Sequence, residues 1–208
     1  MQTKLKQRFQ KFFSIMLTTL MVLTSLAPTV FAQAKQNPIE VGPYDLTILD
    51  STHDGKEIDY KKEGKPGYND YLNDPKKFTQ PVGKDQKVSK LSLKLAVNLS
   101  AKEAIKEGDT KEIEADLGDE FKNATSTAKP IRYGTGDEIG TYVYNKGKFV
   151  LTFSGDYIKN NEVKDLTTTL RTDDVTISNT KMGTGTNGEK STLYGKVVDK
   201  TIIAGYEK

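Results

Sequence analysis

The sequence predicts an all-β sandwich that follows a cleavable leader. Thr, Val, Ile and Tyr recur in short runs separated by Gly, Asn, Asp and Lys, which is the pattern of strands and turns. One run, Val88–Leu99, places apolar residues at every second position from 91 to 99, as a strand with one buried face does. Neither an internal repeat nor a sustained helical periodicity accompanies these runs.

The first 32 residues have the three parts of a secretory signal peptide. Four basic residues lie between positions 4 and 11, and an apolar stretch runs from Phe12 to Leu26. Two small-residue cleavage patterns follow, Val30-Phe31-Ala32 and Ala32-Gln33-Ala34. The stretch is shorter than the ~20 residues that a membrane-spanning helix needs. We therefore predict that residues 1–32 are removed, that the protein is secreted or held at the cell surface, and that it meets a membrane only during export.

Removing the leader changes the charge of the chain. Four of its 31 basic residues leave, so 27 basic residues face 28 acidic ones, and no basic field remains to gather nucleic acid. The chain has no cysteine, which excludes disulfides, thiolate metal sites and a catalytic thiol. It has one histidine, His53, which cannot build a histidine-rich zinc site. We interpret His53 as an exposed turn residue rather than as part of a Ser-His-Asp triad.

The amino-terminal half is predicted to hold a linker, a strand and a long polar segment. Residues 33–43 are assigned to the linker, and the sandwich domain is expected from 44 to 208. Tyr44–Leu49 alternates and predicts the first strand, which a turn at Asp54-Gly55 ends. Residues 56–86 are rich in Lys, Gly, Pro, Asn and Asp, and we expect a polar excursion there with one short helix around Asn69–Asn73.

The remaining elements are short strands. Thr and Lys side chains alternate with apolar ones, and Gly or Asn marks most of the turns. We expect residues 119–129 to form a polar loop and Asn145-Lys146-Gly147 to connect a hairpin. With the two strands described above, ten short segments are predicted as strands, at roughly the spacing of a sandwich. The further predicted strands cover residues 111–117, 130–133, 138–144, 148–153, 163–170, 174–177, 193–198 and 201–203.

Several motifs are better explained by structure than by chemistry. Residues 183–188 match G-x-G-x-x-G but lead into a strand, so we interpret them as a surface loop rather than a dinucleotide site. The acids at 137–138, 156 and 173–174 could donate oxygen ligands to calcium, but without EF-hand spacing they predict no metal site. Lys94 could donate to a Lys–Asn isopeptide bond, but it lies on the polar face of its strand and is interpreted as a surface lysine.

An ordered series of short motifs runs through the second half of the chain. It comprises a Gly-Asp-Thr turn within Ile105–Thr110, Ile131 with Gly134 and Gly136, Ile139-Gly140-Thr141-Tyr142, Phe149–Ile158, and Asn161-Glu162-Val163. Over residues 88–180 this series resembles the immunoglobulin-like adhesive domains of Gram-positive cell-wall-anchored surface adhesins, of the collagen- and fibrinogen-binding type. The resemblance implies an immunoglobulin-like β-sandwich that acts in cell adhesion.

The chain departs from that family in three respects. Two residues, Ser154 and Gly155, separate Phe153 from Asp156 where the family motif has one. The family binds its ligand between two tandem domains, and this chain has room for one. It also carries no L-P-x-T-G sorting signal. The expectation is therefore either the first piece of a longer, cell-wall-anchored adhesin or a secreted relative, and family ligand residues are not transferred.

The resemblance leads us to expect a non-enzymatic domain without a cofactor, which binds a host or extracellular-matrix protein. An extended peptide could add to an exposed strand, and loop tyrosines could supply contact area. The candidate contact residues are Tyr60, Tyr68, Tyr71 and Tyr133, although these rings could instead pack the polar segment against the sandwich. Two alternatives remain open: a structural stalk or pilin-like subunit without a ligand of its own, and a secreted hydrolase with clustered acids in a cleft.

Overall fold

Twelve strands and three short helices make up the part of the chain that the structure describes. The computed structural model describes residues 38–73, 88–134, 136–177 and 190–207, without the side chains of 71, 190–192, 206 and 207. The predicted signal peptide and the segment 183–188 lie outside these ranges. The strands are β1 Ile39–Asp50, β2 Lys56–Ile58, β3 Tyr60–Lys62, β4 Lys90–Ala101, β5 Thr110–Asp116, β6 Lys129–Tyr133, β7 Asp137–Asn145, β8 Lys148–Phe153, β9 Asp165–Arg171, β10 Val175–Thr176, β11 Lys190–Val197 and β12 Lys200–Glu207. The helices are α1 Tyr68–Asn73, α2 Asp119–Lys122 and α3 Asp156–Asn160.

The strands form two antiparallel sheets, which confirms the predicted all-β sandwich. In the first sheet β1 lies between β2 and β4, and both β9 and β10 pair with the far edge of β4. The second sheet has the order β3-β12-β11-β5-β8-β7-β6. Every pairing between described strands is antiparallel, and four of the ten pairings join strands that are consecutive along the chain.

The core between the sheets is built on the alternation of β4. Leu91, Leu93, Leu95, Val97 and Leu99 are all buried, as the period of two predicts. Each such side chain contributes roughly 1.5–3 kcal/mol when fully buried. Aromatic residues of the second sheet join the same core: Tyr142, Tyr144, Phe149 and Phe153.

Two tight hairpins have turn conformations that their residues explain. Lys146 and Gly147 connect β7 to β8, and both have positive φ, which gives a twist that suits a two-residue hairpin. This confirms the predicted hairpin. Val198 and Asp199 connect β11 to β12, and Val198 also has a positive φ, of 59°. A left-handed conformation is uncommon for a β-branched residue.

The structure corrects three sequence-based assignments. β1 begins at Ile39, inside the predicted linker, and its first residues pair with the end of β4. The predicted polar excursion contains two short strands, β2 and β3, in addition to the helix α1 that was expected there. The predicted loop at 119–129 contains α2, whose Phe121 is fully buried. In each case a short segment is ordered by distant partners rather than by its own pattern.

The two sheets are linked along both sides. A single residue, Asp59, separates β2 of the first sheet from β3 of the second. On the other side, the backbone N–H of Arg171 in β9 donates to the Tyr142 hydroxyl of β7 over 3.0 Å. The ammonium group of Lys129 in β6 also donates to the Arg171 carbonyl over 3.1 Å. Side-chain hydrogen bonds therefore close the side that has no connecting strand.

Gly195 lies where β11 crosses β5, and we predict that it tolerates no side chain. A Cβ at this position would collide with the carbonyl oxygen of Asp116. Gly195→Ala is expected to lower the free energy of unfolding by about 1–3 kcal/mol, the usual cost of overpacking. Urea denaturation measures the change, and Lys196→Ala, at the exposed neighbouring position, is the matched control. Equal stability of the two variants would contradict the close approach of the strands.

Candidate binding surface

The fold separates the four tyrosines that the sequence suggested as contacts. Tyr60 lies in β3 and Tyr133 in β6, which are the two opposite edge strands of the second sheet, with five strands between them. Tyr68 begins α1. Tyr71 lies in the same helix, but its side chain is outside the described residues. One continuous surface therefore does not contain both Tyr60 and Tyr133.

Tyr133 belongs to an aromatic pair at the β6 edge. Its ring lies 5.5 Å from that of Tyr157, between centroids, and is tilted by 41°. Both rings are partly buried against the core. Such packing fits the alternative that a tyrosine holds a connecting segment against the sandwich.

A second group of side chains lies at the opposite side of the molecule, and we call Tyr44, Tyr60 and Lys62 the lateral cluster. The Tyr44 hydroxyl donates to the Val197 carbonyl over 3.0 Å, which joins β1 of the first sheet to β11 of the second. The Lys62 ammonium lies 3.9 Å from the centroid of the Tyr44 ring, a cation–π arrangement. Partial burial and the nearby charge of Asp199 raise the pKa of Tyr44 from 10.0 to about 12.

Tyr60 connects the lateral cluster to the edge of β1. Its ring packs against the core, and burial, followed by the charge of Asp45, raises its pKa. The backbone of Leu46 acts in the opposite direction. The Tyr60 hydroxyl therefore lies beside Leu46 at the edge of the first sheet.

Among the described residues, the exposed large hydrophobic side chains are Leu72 of α1 and Tyr194 of β11, at 47% and 56%. Tyr194 lies on the outer face of β11 and β12, since its neighbour Leu193 points into the core. Tyr68 lies four residues before Leu72, on the same side of α1. A side-chain hydrogen bond between Thr201 and Tyr68, and the proximity of Tyr194, place the Tyr68 ring beside this face. We call Tyr68, Leu72 and Tyr194 the α1 patch.

Ile203 lies beside Tyr194 on the outer face of the second sheet. It stands directly opposite Tyr194 in the β11–β12 ladder. Its neighbours Ile202 and Ala204 point into the sandwich core, whereas Ile203 points to the other face, where it is nevertheless only 2% exposed. The outer face of β12 is therefore covered beside Tyr194.

His53 is held by a buried carboxylate and is not the exposed residue that the sequence suggested. Its Nδ1 lies 2.6 Å from Oδ2 of Asp50, and the two side chains are 17% and 1% exposed. The Thr52 N–H donates to the other Asp50 oxygen over 2.9 Å. The nearby Ser51 hydroxyl donates to Ser92 rather than to the imidazole. The pair therefore fixes the turn after β1, and the arrangement is not a nucleophile–base pair.

The acids considered from the sequence and Lys94 lie at the surface. Asp137, Glu138 and Asp156 are exposed. Asp173 and Asp174 line an open cleft of about 650 Å³ between α2 and β10, together with two acids of α2. Lys129 and the Thr127 N–H hold Asp173 and lower its pKa. Across the described ranges, no three His, Asp or Glu side chains are grouped to hold a metal ion. Lys94 is exposed opposite Arg171 and Thr47.

Comparison with known proteins provides no further assignment. No protein-family model matches the chain, and no curated protein matches it significantly. Within the part that the structure describes, none of the helices has the length and hydrophobicity to span a membrane.

We predict that ionisation of Tyr44 weakens the fold at alkaline pH. The folded-state pKa of about 12 lies above the ordinary value of 10.0, so the stabilisation is complete below pH 10.0 and is lost as the pH rises towards 12. Tyr44→Phe should show a smaller loss of stability across that interval in urea unfolding. It should also be about 1 kcal/mol less stable at neutral pH, because the bond to Val197 is missing. An unchanged alkaline loss in this variant would refute the assignment.

Proposed function

We propose that the protein is an exported adhesin domain of a Gram-positive bacterium and that it binds a host or extracellular-matrix protein without catalysis. The observation that carries the proposal is the α1 patch, where Tyr68 lies close to the exposed Tyr194 and one helical turn before the exposed Leu72. Exposed apolar groups that lie together mark interaction sites more often than single ones do. Tyrosine is also well suited to contact surfaces, because it offers a large area at a low entropic cost.

Three further features support a binding domain. The motif series over residues 88–180 resembles adhesive domains, and the leader resembles a secretory signal. In the α1 patch Tyr194 stands opposite the buried Ile203, and Thr201 hydrogen-bonds to Tyr68, so both rings have neighbours that order them before a ligand arrives. Preorganisation lowers the entropic cost of binding. In this proposal the protein acts at the cell surface, in the cell wall if it belongs to a longer anchored chain.

Replacing the exposed residues of the α1 patch tests the proposal. Fibrinogen, type I collagen and the matrix deposited by cultured fibroblasts serve as immobilised probes for the protein without residues 1–32. We expect binding to at least one of them, and Tyr194→Ser with Leu72→Ser should weaken it by about tenfold or more, as loss of a contact centre does. Surface plasmon resonance measures the affinity.

Tyr133→Ser is the matched control, because it removes a tyrosine from the opposite edge of the same sheet. Circular dichroism and thermal unfolding establish that each variant is folded. Loss of binding by Tyr133→Ser with retention by the double variant would contradict the assignment to the α1 patch. Failure of the unmodified protein to bind any of the three probes would contradict the adhesin function itself.

A further inference from the structure

The outer edge of β1 is longer than the strand that covers it. β4 pairs with β1 from Ile39 to Asp50, whereas β2 pairs with the other edge only from Ile48 to Asp50. Among the described residues, no other strand pairs with β1 on that side. An uncovered strand edge presents backbone donors and acceptors that another extended chain can bind.

The part of the β1 edge that could pair with another strand is residues 44–47. A bulge between Val41 and Tyr44 interrupts the strand at one end, and β2 begins opposite Ile48 at the other. The Ser51 N–H donates to the Lys90 carbonyl of β4, so the odd-numbered residues of this part of β1 face β4 and the Leu46 N–H points to the uncovered edge. Residues two apart direct their backbone groups to the same edge, so Tyr44 and Leu46 both face an incoming strand.

On the face of β1 that carries Asp45, the charge beside this edge is negative, whereas Lys62 lies over the ring of Tyr44, which points to the opposite face. Asp45 lies next to Leu46 in β1, and Glu57 lies in β2, opposite Leu49. Both carboxylates are close enough to the Tyr60 hydroxyl to raise its pKa. Neither forms an ion pair with another described residue. An extended chain beside residues 44–47 would place alternate side chains next to these carboxylates, and a basic side chain would compensate them.

We propose that residues 44–47 of β1 accept an extended peptide carrying Lys or Arg as an added antiparallel strand. The peptide backbone replaces the Tyr60 hydroxyl at the Leu46 N–H, and a basic side chain lies beside Asp45 and Glu57. A second copy of the protein fits this edge less well, because two β1 edges paired antiparallel over residues 44–47 would bring two Asp45 side chains together. The inference does not depend on the α1 patch, since the two surfaces share no residue.

A synthetic peptide, acetyl-Thr-Lys-Val-Lys-Thr-amide, tests the strand geometry. The backbone N–H and C=O of Asp45 face β4 and not the added peptide. A peptide lysine opposite Asp45 therefore also directs its N–H away from β1. The valine next to it directs its N–H towards β1 and can form a hydrogen bond there. N-methylation of the valine should therefore weaken binding by about tenfold, the effect of losing one hydrogen bond and adding a clash. N-methylation of the lysines should leave binding within about twofold. Isothermal titration calorimetry measures both.

Variants of the protein test the charge and the displaced hydroxyl. Asp45→Asn with Glu57→Gln should weaken the lysine peptide by about fivefold, as loss of two exposed ion pairs does. Tyr60→Phe keeps the ring, frees the Leu46 N–H and should tighten binding, while Tyr133→Phe should leave it unchanged. Circular dichroism checks that every variant is folded.

Four results would overturn the proposal. Two concern the peptide itself: no binding at millimolar lysine peptide, or equal binding of a peptide with Glu in place of Lys. The third is an equal effect of the two N-methylations. The fourth is self-association of the protein in analytical ultracentrifugation that Tyr60→Phe enhances. The last result would assign the edge to a second copy. None of these measurements uses a matrix protein, so their failure is distinguishable from failure of the adhesin proposal.

Discussion

Burial of one face of β4 is the constraint on which the other elements depend. β1 pairs with one edge of β4, β9 and β10 pair with the other, and the apolar face packs into the core. The first sheet is then four strands wide against seven in the second. The sides of the wider sheet are therefore held to the first sheet by side-chain contacts. Tyr44 and Tyr60 make these contacts on one side. On the other side, Lys129 and Tyr142 form hydrogen bonds with the backbone of Arg171.

The width difference also explains where the candidate surfaces lie. β3, β12 and β11 form one end of the wider sheet, and the α1 patch lies on their outer face. The uncovered edge of β1 lies beside the lateral cluster, since β2 turns into β3 after three residues. The two surfaces differ in chemistry. The α1 patch offers side-chain area, whereas the β1 edge offers backbone hydrogen bonds next to Asp45 and Glu57.

Sequence patterns predicted the parts of the fold that depend on residues close together in the sequence. The period of two in β4 and the Lys146-Gly147 turn are examples, because each depends on neighbours along the chain. β2 and β3 were missed, since three residues give no period and their order comes from pairing with β1 and β12. α2 was missed because a single apolar residue, Phe121, anchors it.

The candidate surface was only partly predictable for the same reason. The aromatic content of the polar segment drew attention to Tyr60 and Tyr68, which lie at the lateral cluster and the α1 patch. Tyr194 carried no signal, because its exposure follows from its register opposite Ile203. Tyr133 was selected for the same reason as Tyr68, as a tyrosine that could supply contact area, but it lies at the far edge of the sheet. Spatial grouping depends on strand order, which residue type does not determine.

Site-specific photo-crosslinking tests the central claim most directly. The protein with Tyr194→p-benzoylphenylalanine and a second form with Tyr133→p-benzoylphenylalanine are each irradiated on matrix deposited by fibroblasts. Our account predicts a covalent adduct with a matrix protein from position 194 and little or none from position 133. An adduct from position 133 alone, equal adducts from both positions, or none from either would contradict it.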